Sequence, residues 1–432
     1  MQGAIRNGNR NTICSMLIMG LGQLMYGQVA KGLTFLAIQA AALWYFISAG
    51  AQSMYGFFSL GAVRAEPSIG LEGDNSIVMM IMGIFAFIML GLYIACYIRN
   101  IKDAYATQRR VEGGGRPRKL RAELAHMLDG GFYKSALLLP ILGVCVFNIL
   151  PIIFMVLIAF TDYGGDTVPP ELVSWVGLDN FARLVNLGQF GDTFRRILGW
   201  NVLWAVASTA LNYLCGLGLA MLLNKKCVRG KAFWRMFPIL AIAVPGFITL
   251  LGFRFMFSFG GPINQMIAAG GGRVIGFLGL DAGWVARGVG LFVNAWIMVP
   301  SCMLLSTGVL SNMDGTLHEA GRIDGAGSWQ RFRSITLPFV LFATMPVLIA
   351  QFVGNFNNFG IFFFLRGGLY MEGYFLASDT DLLINWLYNL SIDNNFYSVA
   401  AAISIIIFVL TSLFALAVYM LSPSYRQEET FR

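Results

Sequence analysis

Apolar residues in this chain collect into eight blocks, roughly 31–51, 77–98, 136–160, 201–223, 236–258, 288–311, 335–359 and 397–420. Each approaches or exceeds the ~20 residues that a helix needs to cross the hydrocarbon core of a bilayer. The pattern predicts an all-α integral membrane protein with eight transmembrane helices. An earlier apolar stretch, Ile13–Tyr26, is shorter and is broken by Gly20 and Gly22. It is expected to be interfacial or re-entrant. No small-residue cleavage site follows it, which sets aside a signal peptide. Composition agrees: 57% of the residues are hydrophobic and 12% charged, with mean hydropathy +0.67, whereas soluble domains carry roughly 25% charged residues.

The distribution of Lys and Arg orients the spans. With the N-terminus inside, the inner segments, counting helix-edge Lys31, hold 22 Lys/Arg and the outer segments seven, while acids divide nine inside to thirteen outside. Eight spans then leave both termini cytoplasmic. The net charge of +8 is thereby a consequence of topology and requires no nucleic-acid partner. Six cysteines lie in or beside spans without a CxxC pair, and the histidines are two, His126 and His318. Buried thiols explain that pattern more simply than a disulfide framework, and no metal site is expected.

Two inner loops stand apart. The first, Arg99 to Lys134, carries Arg109, Arg110, Arg116, Arg118, Lys119 and Arg121, a positive-inside determinant that also meets anionic lipid headgroups. Its Gly113-Gly114-Gly115 run and Pro117 mark a linker. The expected organisation is residues 1–120 as an N-terminal segment with two spans, and 121–432 as a six-span core. The second loop, 312–334, can form a short helix over Leu317–Ala326, a turn at Asp324-Gly325, and an amphipathic piece from Trp329 to Phe332. Tied at both ends to spans, this helix must lie along the membrane face. Its physics alone leaves a docking helix and an ordinary connector equally open.

Glu319-Ala320-Gly321, then Gly325, then Ile335-x-Leu337-Pro338 resembles the EAA loop of ABC-importer permeases, within the stretch 312–338. Every spacing fits, and the one departure is Gly321 for the second alanine, which loosens the helix by about 1 kcal/mol. The resemblance implies a six-span type I core. It also implies a coupling helix seated in a nucleotide-binding subunit, with Glu319 facing a basic group there and Gly325 permitting the tight turn. Asp324 either caps the second helical piece or touches the partner. The chain has no G-x-x-x-x-G-K-[ST] motif; the nearest fragment, Arg229-Gly230-Lys231-Ala232, lacks the first glycine and the hydroxyl. The expectation is a transport subunit and not an enzyme. It would bind no cofactor itself, with ATP and Mg used by two copies of a separate ATPase.

Polar groups within spans mark pathways or interhelical contacts. Gln351, Asn355 and Asn358 follow i, i+4, i+7 spacing in the seventh block, which places them on one helical face. Asn294 in the sixth block falls at the depth of Asn355 to within roughly 3 Å. Amides donate and accept while neighbouring aromatic rings cover apolar sugar faces, so the set suits an uncharged polyhydroxylated ligand. The alternative is amide bonding that only holds helices together.

The run Asn355-Phe-Asn-Asn-Phe359, with Arg366-Gly-Gly368, Thr380-Asp381-Leu-Leu383 and Trp175-Val-Gly177-Leu-Asp-Asn180-Phe181, resembles the larger permease of maltose/maltodextrin-type importers over roughly 136–425. That resemblance implies sugar contacts at Asn294, Ile297, Met298, Ser301, Gln351, Gly354, Asn355 and Asn358. It further implies a second permease subunit, an extracellular solute-binding protein, and residence in a bacterial cytoplasmic membrane. The maltose-type pattern has glycine where Met298 stands, tyrosine at Ser301, an aromatic residue at Gly354 and serine at Gln351, so the pocket is reshaped and its sugar is left unnamed. A gradient-driven transporter or channel is the rival, but it would want acids or histidines within the spans, and the eight blocks contain no Asp or Glu.

Overall fold

The computed structural model describes residues 2–65, 72–117, 132–186, 188–225 and 227–421. Expectations placed on Arg118, Lys119, Arg121 and the C-terminal inner segment fall outside these. Among the described residues, secondary structure is helical, and β-pairing is confined to two isolated bridges, Thr161–Trp175 and Gly164–Thr167. The chain divides into two compact units, Met1–Gly177 and Leu178–Arg432.

The first unit holds α1 (Arg10–Leu17), α2 (Leu21–Met25), α3 (Val29–Ser59), α4 (Ser76–Glu112) and α5 (132–158). Helices α1 and α2 replace the apolar stretch Ile13–Tyr26, and neither is long enough to cross a bilayer. Gly20 between them has φ of 86°, a left-handed conformation that a glycine takes without penalty. They pack on the C-terminal end of α4 through buried amides. Asn100 accepts from Gly20 N (3.0 Å) and donates to Ser15 O (2.8 Å), while Gln108 accepts from the Thr12 hydroxyl (2.7 Å) and Asn9 N (2.9 Å). Lys31 closes the set by pairing with Asp103 at 2.5 Å. Because every buried amide named here has a partner, the network avoids the desolvation cost of an orphan group.

The second unit holds α6 (Gln189–Asn224), the pair α7 (Lys231–Ala243) and α8 (Gly246–Met256), α9 (Gly283–Ser311), α10 (Gly315–Ile323), α11 (Leu337–Phe356), α12 (Phe359–Arg366) and α13 (Tyr397–Leu421). Six helical stretches among the described residues are long and apolar enough to span, and seven if the bent pair α7–α8 counts as one. With α5, these correspond to the eight apolar blocks. The fifth block is not one straight helix: it bends by 92° between Ala243 and Gly246. Pro245 has no N–H to continue the ladder, and Val244 before it is extended (φ −86°, ψ 129°).

Helices α6 and α9 run side by side in the same direction, since Trp204 lies near Gly290 and Gly216 near Cys302. The aromatic core around them contains Trp200, Trp204, Val293, Phe362 and Leu365, all buried. At Gly216 the two backbones approach so closely that a Cβ would lie 2.9 Å from the Cys302 carbonyl carbon and from Met303 N.

Candidate functional site

The seventh block is two helices, not one. Helix α11 stops at Phe356, Asn357 caps it, and Asn358 begins α12 by accepting from Ile361 N at 3.3 Å. The expected single face through Gln351, Asn355 and Asn358 is therefore interrupted after Phe356. Carbonyls freed by that ending find donors on α6: Trp204 Nε1 reaches Asn355 O (3.1 Å) and Asn201 Nδ2 reaches Phe356 O (3.0 Å).

The break nonetheless brings three asparagines together. Asn294 Nδ2 donates to Asn355 Oδ1 (3.4 Å), and Asn358 Nδ2 donates to Asn294 Oδ1 (3.3 Å). Asn355 Nδ2 in turn donates to Thr209 Oγ1 at 3.0 Å. The depth match inferred for Asn294 and Asn355 is thus a direct contact. Both are buried, at 2% exposure, and Asn358 is partly open. The other expected sugar contacts differ in accessibility: Ser301 and Gly354 are exposed, and Ile297, Met298 and Gln351 are half-buried. Gln351 is held from behind, its Nε2 lying 3.1 Å from Cys302 Sγ.

The span of α6 was expected, but none of its residues was expected at the site. Thr209, Trp204 and Asn201 organise the break from that helix, and Asn201 Oδ1 also accepts from Leu383 N at 2.7 Å. Asn201 with Ser208 and Thr209 at i+7 and i+8, polar positions on one side of an apolar helix, was the available signal. A cavity of about 390 Å³ lies between α7 and α9, lined by Phe237, Pro238, Phe292, Trp296 and Val299. Those α9 positions sit on the side away from Asn294, and an apolar lining offers hydroxyl groups nothing to bond.

Helix α10 begins one residue after Asp314, whose carboxylate accepts from Thr316 N at 2.9 Å; that bond holds the Asp314 carboxyl below the usual range. The expected helix over Leu317–Ala326 is shifted toward this cap. Asp324 terminates α10 instead of opening the next piece, and Gly325 (φ 77°) follows, with Ala326 N returning to Gly321 O at 2.9 Å. Ser328–Arg331 then continues without interruption into α11. Gly321 faces that continuation: a Cβ there would lie 3.2 Å from Ile335 Cδ1 and 3.3 Å from Arg331 Cδ, so the glycine gives the two pieces room to pack. The outer side of the loop is bare. Glu319 and Ala320 are exposed, and so are Leu317 (47%), Ile323 (86%) and Trp329 (72%).

At the other end of the unit, Arg366 is a buried cation with all its partners in place. It donates to Asp379 Oδ1 (2.6 Å), Thr380 Oγ1 (2.8 Å), Gly279 O (2.7 Å) and Leu278 O (3.3 Å). Two of the motif pieces quoted above, Arg366 and Thr380, therefore meet. Nearby Asp381 accepts from Ser378 N at 2.8 Å, yet burial pushes its carboxyl up to about 6. Among the described residues no group of three His, Cys, Asp or Glu side chains could hold a metal ion.

Residues 212–427 match the family described as the inner membrane component of binding-protein-dependent transport systems. The maltodextrin transport system permease protein MalC of Streptococcus pneumoniae is 34% identical over 406 residues, 91% of each chain. The galactooligosaccharides transport system permease protein GanP of Bacillus subtilis is 33% identical over 416 residues, 95% of this chain and 97% of that one. A chain from the crystal structure of a bacterial ABC transporter involved in importing the acidic polysaccharide alginate matches with TM-score 0.57 at 21% identity. It covers 71% of this chain and 99% of its own; at that identity the likeness concerns the fold.

Proposed function

The chain belongs to the inner-membrane components of binding-protein-dependent transport systems, and from there we propose that it is the permease subunit of an ATP-binding-cassette importer for an oligosaccharide. It is a multi-pass protein of the cytoplasmic membrane. Both termini face the cytoplasm, as the Lys and Arg distribution requires. Residues 1–120 form an N-terminal segment, and 121–432 form the translocating core. Its partners are a second permease, two copies of an ATPase that use ATP and Mg, an extracellular solute-binding protein and membrane lipid.

The observation that carries this reading is the bare face of α10. Leu317 and Ile323 on α10, and Trp329 on the piece that runs into α11, leave apolar surface uncovered around Glu319, and α10 is held to that piece by the Gly325 turn and by the packing of Gly321 on Arg331 and Ile335. Exposed apolar groups gathered in this way on one short loop mark a docking surface. A subunit seated there and moved by ATP hydrolysis displaces α10, and with it α11 and the amide cluster at its far end. Glu319, Ala320, Gly321, Asp324 and Gly325 form the coupling element.

For the cargo, the open side chains Met298, Ser301, Gln351 and Asn358, with Ile297 and the Gly354 backbone, touch sugar as the core rocks between outward and inward states. Asn294 and Asn355 join them when the α9–α11 contact opens. Relatives at similar identity bear different sugar names, which fits a shared frame with an altered lining. The test is Glu319→Lys in the assembled transporter: substrate-stimulated ATPase activity is lost while membrane insertion persists. Coupling that survives the charge reversal would remove α10 from the pathway.

A further inference from the structure

A second polar site lies away from the amide cluster. Between the start of α6 and the loop after α12 is a cavity of about 560 Å³, lined by Gln189, Asp192, Thr193, Arg196 and Tyr374. Its lining is polar, unlike that of the cavity between α7 and α9. The loop wall is fixed: Phe375 N donates to Thr193 Oγ1 (2.8 Å), Phe375 O accepts from Trp386 Nε1 (2.7 Å), and Leu376 O accepts from Asn389 Nδ2 (3.2 Å). Leu376 is held with φ of 50°, a conformation that disfavours a branched side chain. The fold therefore maintains this wall against a local cost.

The chemistry on offer is mixed in sign. The Arg196 guanidinium lies 5.5 Å from the Tyr374 ring centroid and has no carboxylate partner among the described residues. Asp192 is paired with Arg195 through Oδ1 at 2.5 Å, leaving Oδ2 to accept. Gln189 both donates and accepts. One cation, one anion, an amide and an aromatic ring around a single cavity suit a neutral ligand with many hydroxyl groups better than a strongly charged one.

We propose that this cavity is an outer subsite for the transported oligosaccharide, which binds one end of the chain while another part reaches the amide cluster. This rests on the function proposed above. Thr193 and Thr209 both lie on α6, sixteen residues apart, and at 1.5 Å per residue the two sites are ~24 Å apart along the helix. A short sugar cannot occupy both at once; a longer one can, and gains the contacts of both.

The test is uptake by the reconstituted transporter with its binding protein, measured with oligosaccharides of increasing length. Arg196→Gln and Tyr374→Leu should each raise the half-saturating concentration roughly 3- to 10-fold for chains long enough to span both sites, the loss expected from one or two hydrogen bonds. Disaccharide uptake should keep its half-saturating concentration. Gln189→Ala, at an exposed position, serves where either variant fails to assemble. An equal shift at every length, as a surface for the binding protein would give, overturns the subsite, and so does no shift at any length. Failure of the parent reading is distinct: the wild-type transporter would then take up no oligosaccharide of any length.

Discussion

Gly216→Ala sets two effects of opposite sign against each other. Alanine in place of glycine in a helix interior stabilises by about 1 kcal/mol through propensity alone. Against that, the new methyl group would sit 2.9 Å from two backbone atoms of α9 and overlap the Cys302 Cβ. Contacts between carbon atoms prefer 3.5–4.0 Å, so α6 and α9 must part by about 1 Å. Backbone cannot rotate out of the way, and overpacking of this kind costs typically 1–3 kcal/mol. The net expectation is a loss of about 1 kcal/mol. Cys302 moves with α9, and the Gln351 amide loses the sulfur that holds it at 3.1 Å. The half-saturating sugar concentration should therefore rise roughly 2- to 5-fold, in the range of one weak hydrogen bond. Thermal unfolding in detergent and uptake by reconstituted transporter measure the two effects. A variant that is more stable by about 1 kcal/mol and transports normally would refute the close approach of α6 and α9.

Arg366→Met should cost about 3–5 kcal/mol, because Asp379 is left without its partner in a largely buried site; a loss below 1 kcal/mol in denaturation would mean the clamp is solvated. Asp381→Asn should stabilise at neutral pH and flatten the pH profile. The Asp381 carboxyl is raised to about 6 in the fold from 3.8 unfolded, so its contribution is fully present below pH ~3.8 and is lost as pH rises through 6, at most about 3 kcal/mol. Stability measured from pH 4 to 7 checks this, and an unchanged slope in the variant would count against it. Asn358→Ala should raise the half-saturating sugar concentration and lower stability by about 1 kcal/mol through the lost cap of α12, whereas Asn355→Ala, which strands both Thr209 and Asn294 in a buried site, should lower stability by roughly 2–4 kcal/mol. Identical behaviour of the two would erase the distinction between open and buried amides.

The span pattern was readable because bilayer thickness imposes one length on every apolar block. Breaks within blocks were less so. Pro245 was visible, but the size of its bend depends on what packs around Val244, and hydropathy carries no such information. Asn358 shows the same limit: i+7 spacing fits a continuous helix, yet an asparagine can as readily cap a new one, and donors from Trp204 and Asn201 decide in favour of the break. Those donors lie over 150 residues away in sequence, beyond any local pattern. The loop at 312–338 was legible in spacing, while the reason for Gly321 became clear only with Ile335 and Arg331 packed against it. The outer cavity left no sequence signal, since Arg196 and Tyr374 are ordinary loop-adjacent residues until the fold brings them together.

ATP-driven import of an oligosaccharide can be measured in one assay, labelled-sugar uptake into proteoliposomes containing this chain with its second permease and ATPase. Accumulation should require both ATP and the solute-binding protein and should stop with Glu319→Lys. Uptake that proceeds without ATP under an imposed ion or proton gradient would contradict it.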